Sequence, residues 1–298
     1  MRVLTCLYHE HNLWIVVLAA LMCLVGCLAS MKLFERTFIE SGTARFQWCF
    51  LSAFTAGSAI WATHFIAMLG YRPGVPVTLD GTLTVLSALI AVGGIALGLM
   101  VAWTRNRFIS VFTGGGIIGL SIAAMHYVGM FAYRADGIVR WLPEYVIASL
   151  ILTVGFSALT IDRLRKTGDG KNILLPAGSF AAAIVVLHFT GMAAFTVTPL
   201  PGVQAGADSD VFLALAAAVA MVALFIIGAG LSTHLLERRT KSKSDERLRH
   251  IALHDALTEV ANRRAFTEAL RIECGKLDKF GRPFALLMID LDSFKPIN

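Results

Sequence analysis

Three histidines stand at equal intervals in the chain, His64, His126 and His188, 62 residues apart each time. The segments around them align without gaps: Trp61-Ala-Thr-His-Phe-Ile-Ala-Met68, Ala123-Ala-Met-His-Tyr-Val-Gly-Met130 and Val185-Val-Leu-His-Phe-Thr-Gly-Met192. An isoleucine lies four residues before each histidine (Ile60, Ile122, Ile184) and a methionine four after it (Met68, Met130, Met192). On a helix these residues share one stripe, about 6 Å apart per step. Imidazole and thioether suit a soft or borderline metal such as copper, whereas calcium and magnesium want oxygen ligands. Three parallel copies, with Met125 as a further donor, are therefore expected to form a metal cup. Histidines that hydrogen-bond across a helix interface and methionines that fill gaps are also ordinary uses, and duplication copies a structural residue as readily as a ligand. His9 and His11 are read as part of a solvated tail, with extra ligands as the alternative.

The elements that must carry these residues are membrane helices. The 298-residue chain is 56% hydrophobic and 15% charged, with a mean hydropathy of +0.70, too apolar for an ordinary soluble domain. Apolar stretches run from Leu13 to Met31, Phe46 to Leu69, Leu83 to Trp103, Phe108 to Phe131, Tyr145 to Ile161, Ile173 to Phe195 and Val211 to Leu231, which predicts seven spans. Each repeat is then one outward helix and one returning helix behind a single leader helix. Glycines in the spans permit close packing, and Ala67, Gly129 and Gly191 are small at one common level. Tyr71, Tyr133 and Phe195 lie seven residues past the histidines, where rings favour the membrane surface, with each histidine roughly 10 Å below them.

Basic loops are held on the cytoplasmic side. With the N-terminus outside, the inner flanks up to Lys243 hold 13 Lys and Arg and the outer ones four. This predicts a multi-pass protein with a periplasmic N-terminus, a cytoplasmic C-terminus and all three motifs near the outer face. The basic balance thus reflects topology, and the chain lacks the stacking-and-basic pattern of nucleic-acid binders. Leu24-Val25-Gly26-Cys27 resembles a lipoprotein cleavage box, but cleavage there would reverse every later helix, and Arg2 against Glu10 is a poor cationic leader. Cys23, Cys27 and Cys49 fall within spans, Cys6 on the outer tail and Cys274 in the cytoplasm, so no external disulfide pair is expected.

Beyond Leu236 the composition turns polar, and residues 237–249 read as a linker between a membrane domain, 1–236, and a cytoplasmic segment, 250–298. The latter opens with Asp255-Ala-Leu-Thr-Glu-Val-Ala-Asn-Arg-Arg264, a turn into a helix from about Arg263 to Lys279. The apolar run Phe284-Ala-Leu-Leu-Met-Ile-Asp290 is of buried-strand type. Asp290 and Asp292 beside Lys295 suit a magnesium-bound nucleotide phosphate, or else a solvated strand end.

The three motifs resemble those of the bacterial MHYT domain, a seven-helix membrane sensor, over about residues 9 to 235. Met125-His126-Tyr127 matches the naming motif, with Val128 where the family has Thr; the other copies read Thr63-His64-Phe65-Ile66 and Leu187-His188-Phe189-Thr190. The resemblance implies a bacterial inner-membrane sensor with a copper site that detects oxygen, carbon monoxide or nitric oxide. From His250 the D-x-L-T-x-x-x-N-R and I-D-L-D-x-F-K-x-I-N patterns resemble the start of a GGDEF domain, the diguanylate cyclase fold. That implies a catalytic magnesium on Asp290, phosphates beside Phe294 and Lys295, guanine at Asn298, and a homodimer in the complete form. The Gly-Gly-(Asp/Glu)-Glu-Phe loop does not follow, so an interrupted output domain is expected, with no cyclic di-GMP made from GTP by residues 1–298. The expected fold class is an all-α integral membrane protein of seven helices with an incomplete cytoplasmic α/β segment. Rival readings are a His/Met permease, a haem-binding bundle and a ligand-free structural bundle.

Overall fold

The computed structural model describes residues 2–104, 106–166, 172–199, 213–226, 228 and 250–289. Two compact units emerge, Met1–Leu231 and Ser232–Asn298. In the first, a short helix α1 (Arg2–His9) precedes the long α2 (Leu13–Ile39) and α3 (Gly42–Leu69). Strand β1 (Val77–Leu79) leads to α4 (Gly81–Ala102), and a π-helical turn (Ile109–Gly114) runs into α5 (Gly115–Ala132). Strands β2 (Tyr133–Ala135) and β3 (Gly137–Trp141) then lead to α6 (Pro143–Lys166), α7 (Leu174–Ala194), β4 (Phe195–Pro199) and α8 (Leu213–Ile226). Among the described residues six helices are long and apolar enough to cross a bilayer, and α8 is the described part of the seventh expected span. Several outrun their apolar windows: α2 continues through Lys32, Glu35 and Arg36 to Ile39.

The motif-bearing helices form the inner ring. In their most apolar windows 83, 61 and 50% of α3, α5 and α7 is buried, against 28, 33 and 33% for α2, α4 and α6. Without a hydrophobic force between helices in lipid, such packing depends on small residues and interhelical hydrogen bonds. Gly119 faces the backbone of Val154 so closely that an added Cβ would lie 2.8 Å from its Cα, which sets the α5–α6 approach. Trp61 Nε1 donates to the Thr84 carbonyl (3.1 Å), Tyr127 and Ser149 share a hydroxyl contact (2.7 Å), and Thr153 Oγ1 donates to the Ala183 carbonyl (3.2 Å). At the basic end, Arg165 donates to the carbonyls of Ala102 (3.1 Å) and Thr104 (2.9 Å), satisfying acceptors that the end of α4 leaves open.

The apolar patterning predicts an all-α membrane unit, yet among the described residues two antiparallel strand pairs lace its motif end, β1 with β2 and β3 with β4. Segments this short lack the alternating pattern that marks a strand, and their pairing comes from the helices that deliver them.

In the second unit the polar motif residues shape the backbone. The Asp255 carboxylate accepts from the amides of Leu257 (3.0 Å) and Thr258 (3.1 Å), which hold it below its usual range. Asn262 caps the helix α9 (Arg263–Phe280) by accepting from Arg264 and Ala265, and Gly281, at φ 64°, ends it. The expected helix is therefore present. Residues 284–289 are exposed and make no ladder; a strand needs a paired neighbour, and the described residues of this unit supply none.

Candidate metal centre

Each inner helix ends five or six residues past its histidine, and the way it ends repeats with the sequence. The carbonyls of Gly70, Ala132 and Ala194 accept from the amides of Asn12 (2.8 Å), Asp80 (2.8 Å) and Leu142 (3.0 Å). One residue on, Tyr133 pairs with Leu79 and Phe195 with Trp141, while Tyr71 bridges to His11. These acceptors are one 62-residue period apart, as are the donors of the second and third repeats. The N-terminal segment takes, for the first repeat, the place that the preceding loop takes for the other two. The ladder therefore fixes all three helix ends at one height, and the three histidines with them.

The imidazoles converge. Nδ1 of His64 lies 3.2 Å from Nδ1 of His126 and 3.3 Å from Nδ1 of His188, with ring centroids 4.9 to 5.4 Å apart. All three side chains are buried. Three nitrogens at about 2.0–2.1 Å from one first-row ion stand about 3.3–3.6 Å from each other, close to the two separations from His64. The protein alone satisfies these groups poorly. A neutral imidazole has one N–H and one lone pair. Three converging Nδ1 atoms can share one hydrogen bond well, and all three Nε2 atoms are buried without a partner. An unpaired buried donor costs about 1–3 kcal/mol, so bonding to a central cation would offset a real deficit. The donor set thus fits a small ion that takes imidazole, and it leaves no room at its centre for a planar macrocycle.

Glycine positions two of the rings. A Cβ on Gly129 would lie 2.5 Å from His64 Nε2, and one on Gly191 would lie 2.5 Å from His126 Nε2. The third member breaks the pattern: the same register position is Ala67, and the ring beside His188 is His11, 6.2 Å away edge-on.

The methionines of the expected cup fall into two groups. Met125 lines a cavity with the three histidines, on the side of Ile60, Ile122 and Ile184. Met68, Met130 and Met192 instead pack on the other side with Cys6, Tyr71, Tyr133 and Phe195. The three aromatics do not face the membrane surface, as their position along the helix suggested. They are 4 to 7% exposed and close over the methionines, Tyr71 lying 6.0 Å from Tyr133 and 6.4 Å from Phe195. The strands turn the chain back across the helix ends and carry these rings inward.

The N-terminal segment is also not a solvated tail. His9 is exposed, but His11 is 6% and Cys6 2% exposed. His11 stacks near Tyr71 and Phe189, and its Nδ1 lies 3.0 Å from the Cys6 carbonyl, so Nδ1 carries the hydrogen and Nε2 the lone pair. Burial pushes its protonation below the usual histidine range. Asn12, which caps α2 by accepting from Trp14, was the one signal that His11 begins a structured element. Cys23 and Cys27 touch at 3.9 Å as buried free thiols. Asp290, Phe294, Lys295 and Asn298 lie outside the described residues.

Comparison with known proteins agrees with this architecture. The model of the MHYT bacterial signalling protein N-terminal repeat matches residues 57–115 and 119–175, and that of the diguanylate cyclase GGDEF domain matches residues 252–298. A signalling protein of Caulobacter vibrioides is 36% identical over 257 residues, covering 84% of this chain and 31% of that protein. The cyclic di-GMP phosphodiesterase NbdA of Pseudomonas aeruginosa is 34% identical over 94% of this chain and 39% of its own length. The bifunctional diguanylate cyclase/cyclic di-GMP phosphodiesterase MucR of the same organism is 30% identical over 98% and 45%. The chain thus spans less than half the length of these curated relatives. No solved structure matches it. With multi-pass helices and both matches in one chain, the protein carries the MHYT repeats of bacterial signalling proteins at residues 57–175 and a GGDEF segment at 252–298.

Proposed function

We propose that the chain is the sensor part of a bacterial inner-membrane protein in which His64, His126 and His188 hold copper near the periplasmic face. The bound ion reports oxygen, carbon monoxide, nitric oxide or the redox state, and the response controls cyclic di-GMP through the GGDEF segment. The observation that carries this reading is the buried triangle of Nδ1 atoms at 3.2 and 3.3 Å. Copper is preferred because imidazole suits it, and Met125 adds a soft donor in the same cavity. When bound, it would supply a redox-active centre at which a diatomic molecule can take a coordination position.

The chain's own residues hold the imidazoles at one height, fix two of them against glycines and exclude water with the methionine and aromatic layers. Signalling needs the liganded and free states to differ in free energy at the helices leading to the cytoplasm. Relatives that make or degrade cyclic di-GMP support that output; magnesium and GTP would belong to a complete GGDEF domain, and a homodimer to its active form. The carbon-lined cavity beneath the histidines favours this reading over ion transit, which needs polar groups continuing through the midplane.

The test is direct. The reduced, copper-loaded full chain in lipid nanodiscs is expected to show an infrared band of bound carbon monoxide that the metal-free chain lacks. Retention of no copper after dialysis against a weak chelator would overturn the reading.

A further inference from the structure

The cavity under the imidazole triangle has a volume of about 60 Å³ and walls made almost wholly of carbon. A water needs only about 10–15 Å³ by this kind of measure, but it also needs two to four polar partners. The Nδ1 atoms face one another, and Nε2 of His64 and His126 face glycine backbone. Nε2 of His188 and the hydroxyl of Thr63 are the other polar groups of the lining residues, each buried without a partner. Apolar cavities take up small apolar guests such as xenon, and this wall is almost wholly carbon.

Its two ends differ. Toward the motif end, the methionines, Cys6 and the inward-turned aromatics form a buried layer above the histidines, so an aqueous approach along the bundle axis is blocked. On the flank, the lining residues Ala20 of α2 and Val185 of α7 are both exposed on the bundle perimeter, Val185 by 38%. Among the described residues, α8 lines a separate cavity with Leu18 and Met22 of α2, through Val219 and Ala223, and none of its residues lines this one. At that depth the perimeter faces hydrocarbon, into which apolar molecules partition from water.

We propose that this cavity is a binding pocket for a small apolar molecule of diatomic size, filled laterally from the lipid phase through the seam between α2 and α7. That the pocket feeds a metal rests on the function proposed above; that it binds an apolar guest does not.

The experiment uses the full chain in nanodiscs, with and without copper, and xenon and carbon monoxide as probes. Xenon-129 magnetic resonance is expected to show saturable binding in both forms, lost in Ala19→Leu, which fills the pocket from its wall. Ala20→Trp, at the lipid-facing mouth, is expected to slow carbon monoxide association with the copper form by about tenfold while copper content stays unchanged. Circular dichroism checks that both variants remain folded. Saturable xenon binding in a chain that holds no copper would sustain the pocket and sink the metal reading. Copper retention with no saturable xenon binding would do the reverse. Carbon monoxide association unaffected by either variant would overturn the lateral route.

Discussion

Replacing His64, His126 and His188 together by alanine is expected to abolish copper binding by the purified chain, from about one ion per chain to background, measured by inductively coupled plasma mass spectrometry. His64→Ala alone is expected to weaken affinity by more than about 100-fold, since losing even an outer-sphere partner costs about 10–100-fold and the proposed site makes His64 an inner donor. Its Nδ1 lies within 3.3 Å of the Nδ1 of both others. The methionine layer gives the contrast. Met68, Met130 and Met192 pack with the aromatic cover, not in the cavity with the imidazoles. A triple change to leucine keeps that layer apolar and should leave copper stoichiometry intact. Unchanged copper in the triple histidine variant would end the account.

Gly129→Ala and Gly191→Ala are expected to damage the same centre without touching a ligand. The new methyl in each would sit 2.5 Å from an imidazole Nε2, which no real contact allows, so the ring must swing and carry its Nδ1 out of the triangle. Overpacking of this kind costs about 1–3 kcal/mol, and the misplaced donor should lower copper affinity by about 10–100-fold. Gly155→Ala is the control. Its Cβ would meet nothing within 4 Å, so affinity should hold and the helix should gain about 0.5–1 kcal/mol. Competition titrations with a chromophoric chelator separate these outcomes; glycine variants that titrate like the parent would show that the rings are free to adjust.

These particulars show what the sequence makes legible. The 62-residue period is a self-comparison, so the inner helices, their histidines and the small residues at Gly129 and Gly191 follow from it without any coordinates. Helical spacing also puts the methionines on the same stripe as the histidines. It does not say whether two side chains one turn apart share a site; here Met68, Met130 and Met192 also pack with Tyr71, Tyr133 and Phe195, which the spacing did not show. The inward turn of Tyr71, Tyr133 and Phe195 depends on strand pairing between residues far apart in the chain, which no local pattern encodes. His11 and Cys6 were hidden for a related reason. A short polar N-terminal stretch reads as solvated, and only the bridge from His11 to Tyr71 and the bond from Asn12 to Gly70 reveal that it completes the first repeat. In the second unit, the motif residues Asp255 and Asn262 were legible as a turn and a cap because both act on amides within three residues of themselves.

The two groupings of methionine also bear on the chemistry. If the three imidazoles are the site, the ion sees nitrogen on one side and an apolar cavity on the other, with Met125 as the sulfur within that cavity. The methionine and aromatic layer then acts as a cover. Burial raises the hydroxyls of Tyr71 and Tyr133 above their usual range, so the cover remains uncharged at neutral pH.

Copper-edge X-ray absorption on the full chain in nanodiscs tests the central claim most directly. The account predicts a nitrogen-dominated shell of about three imidazoles at about 2.0–2.1 Å, with at most one sulfur. A shell made of sulfur alone, which would put the ion among Met68, Met130 and Met192, would contradict it.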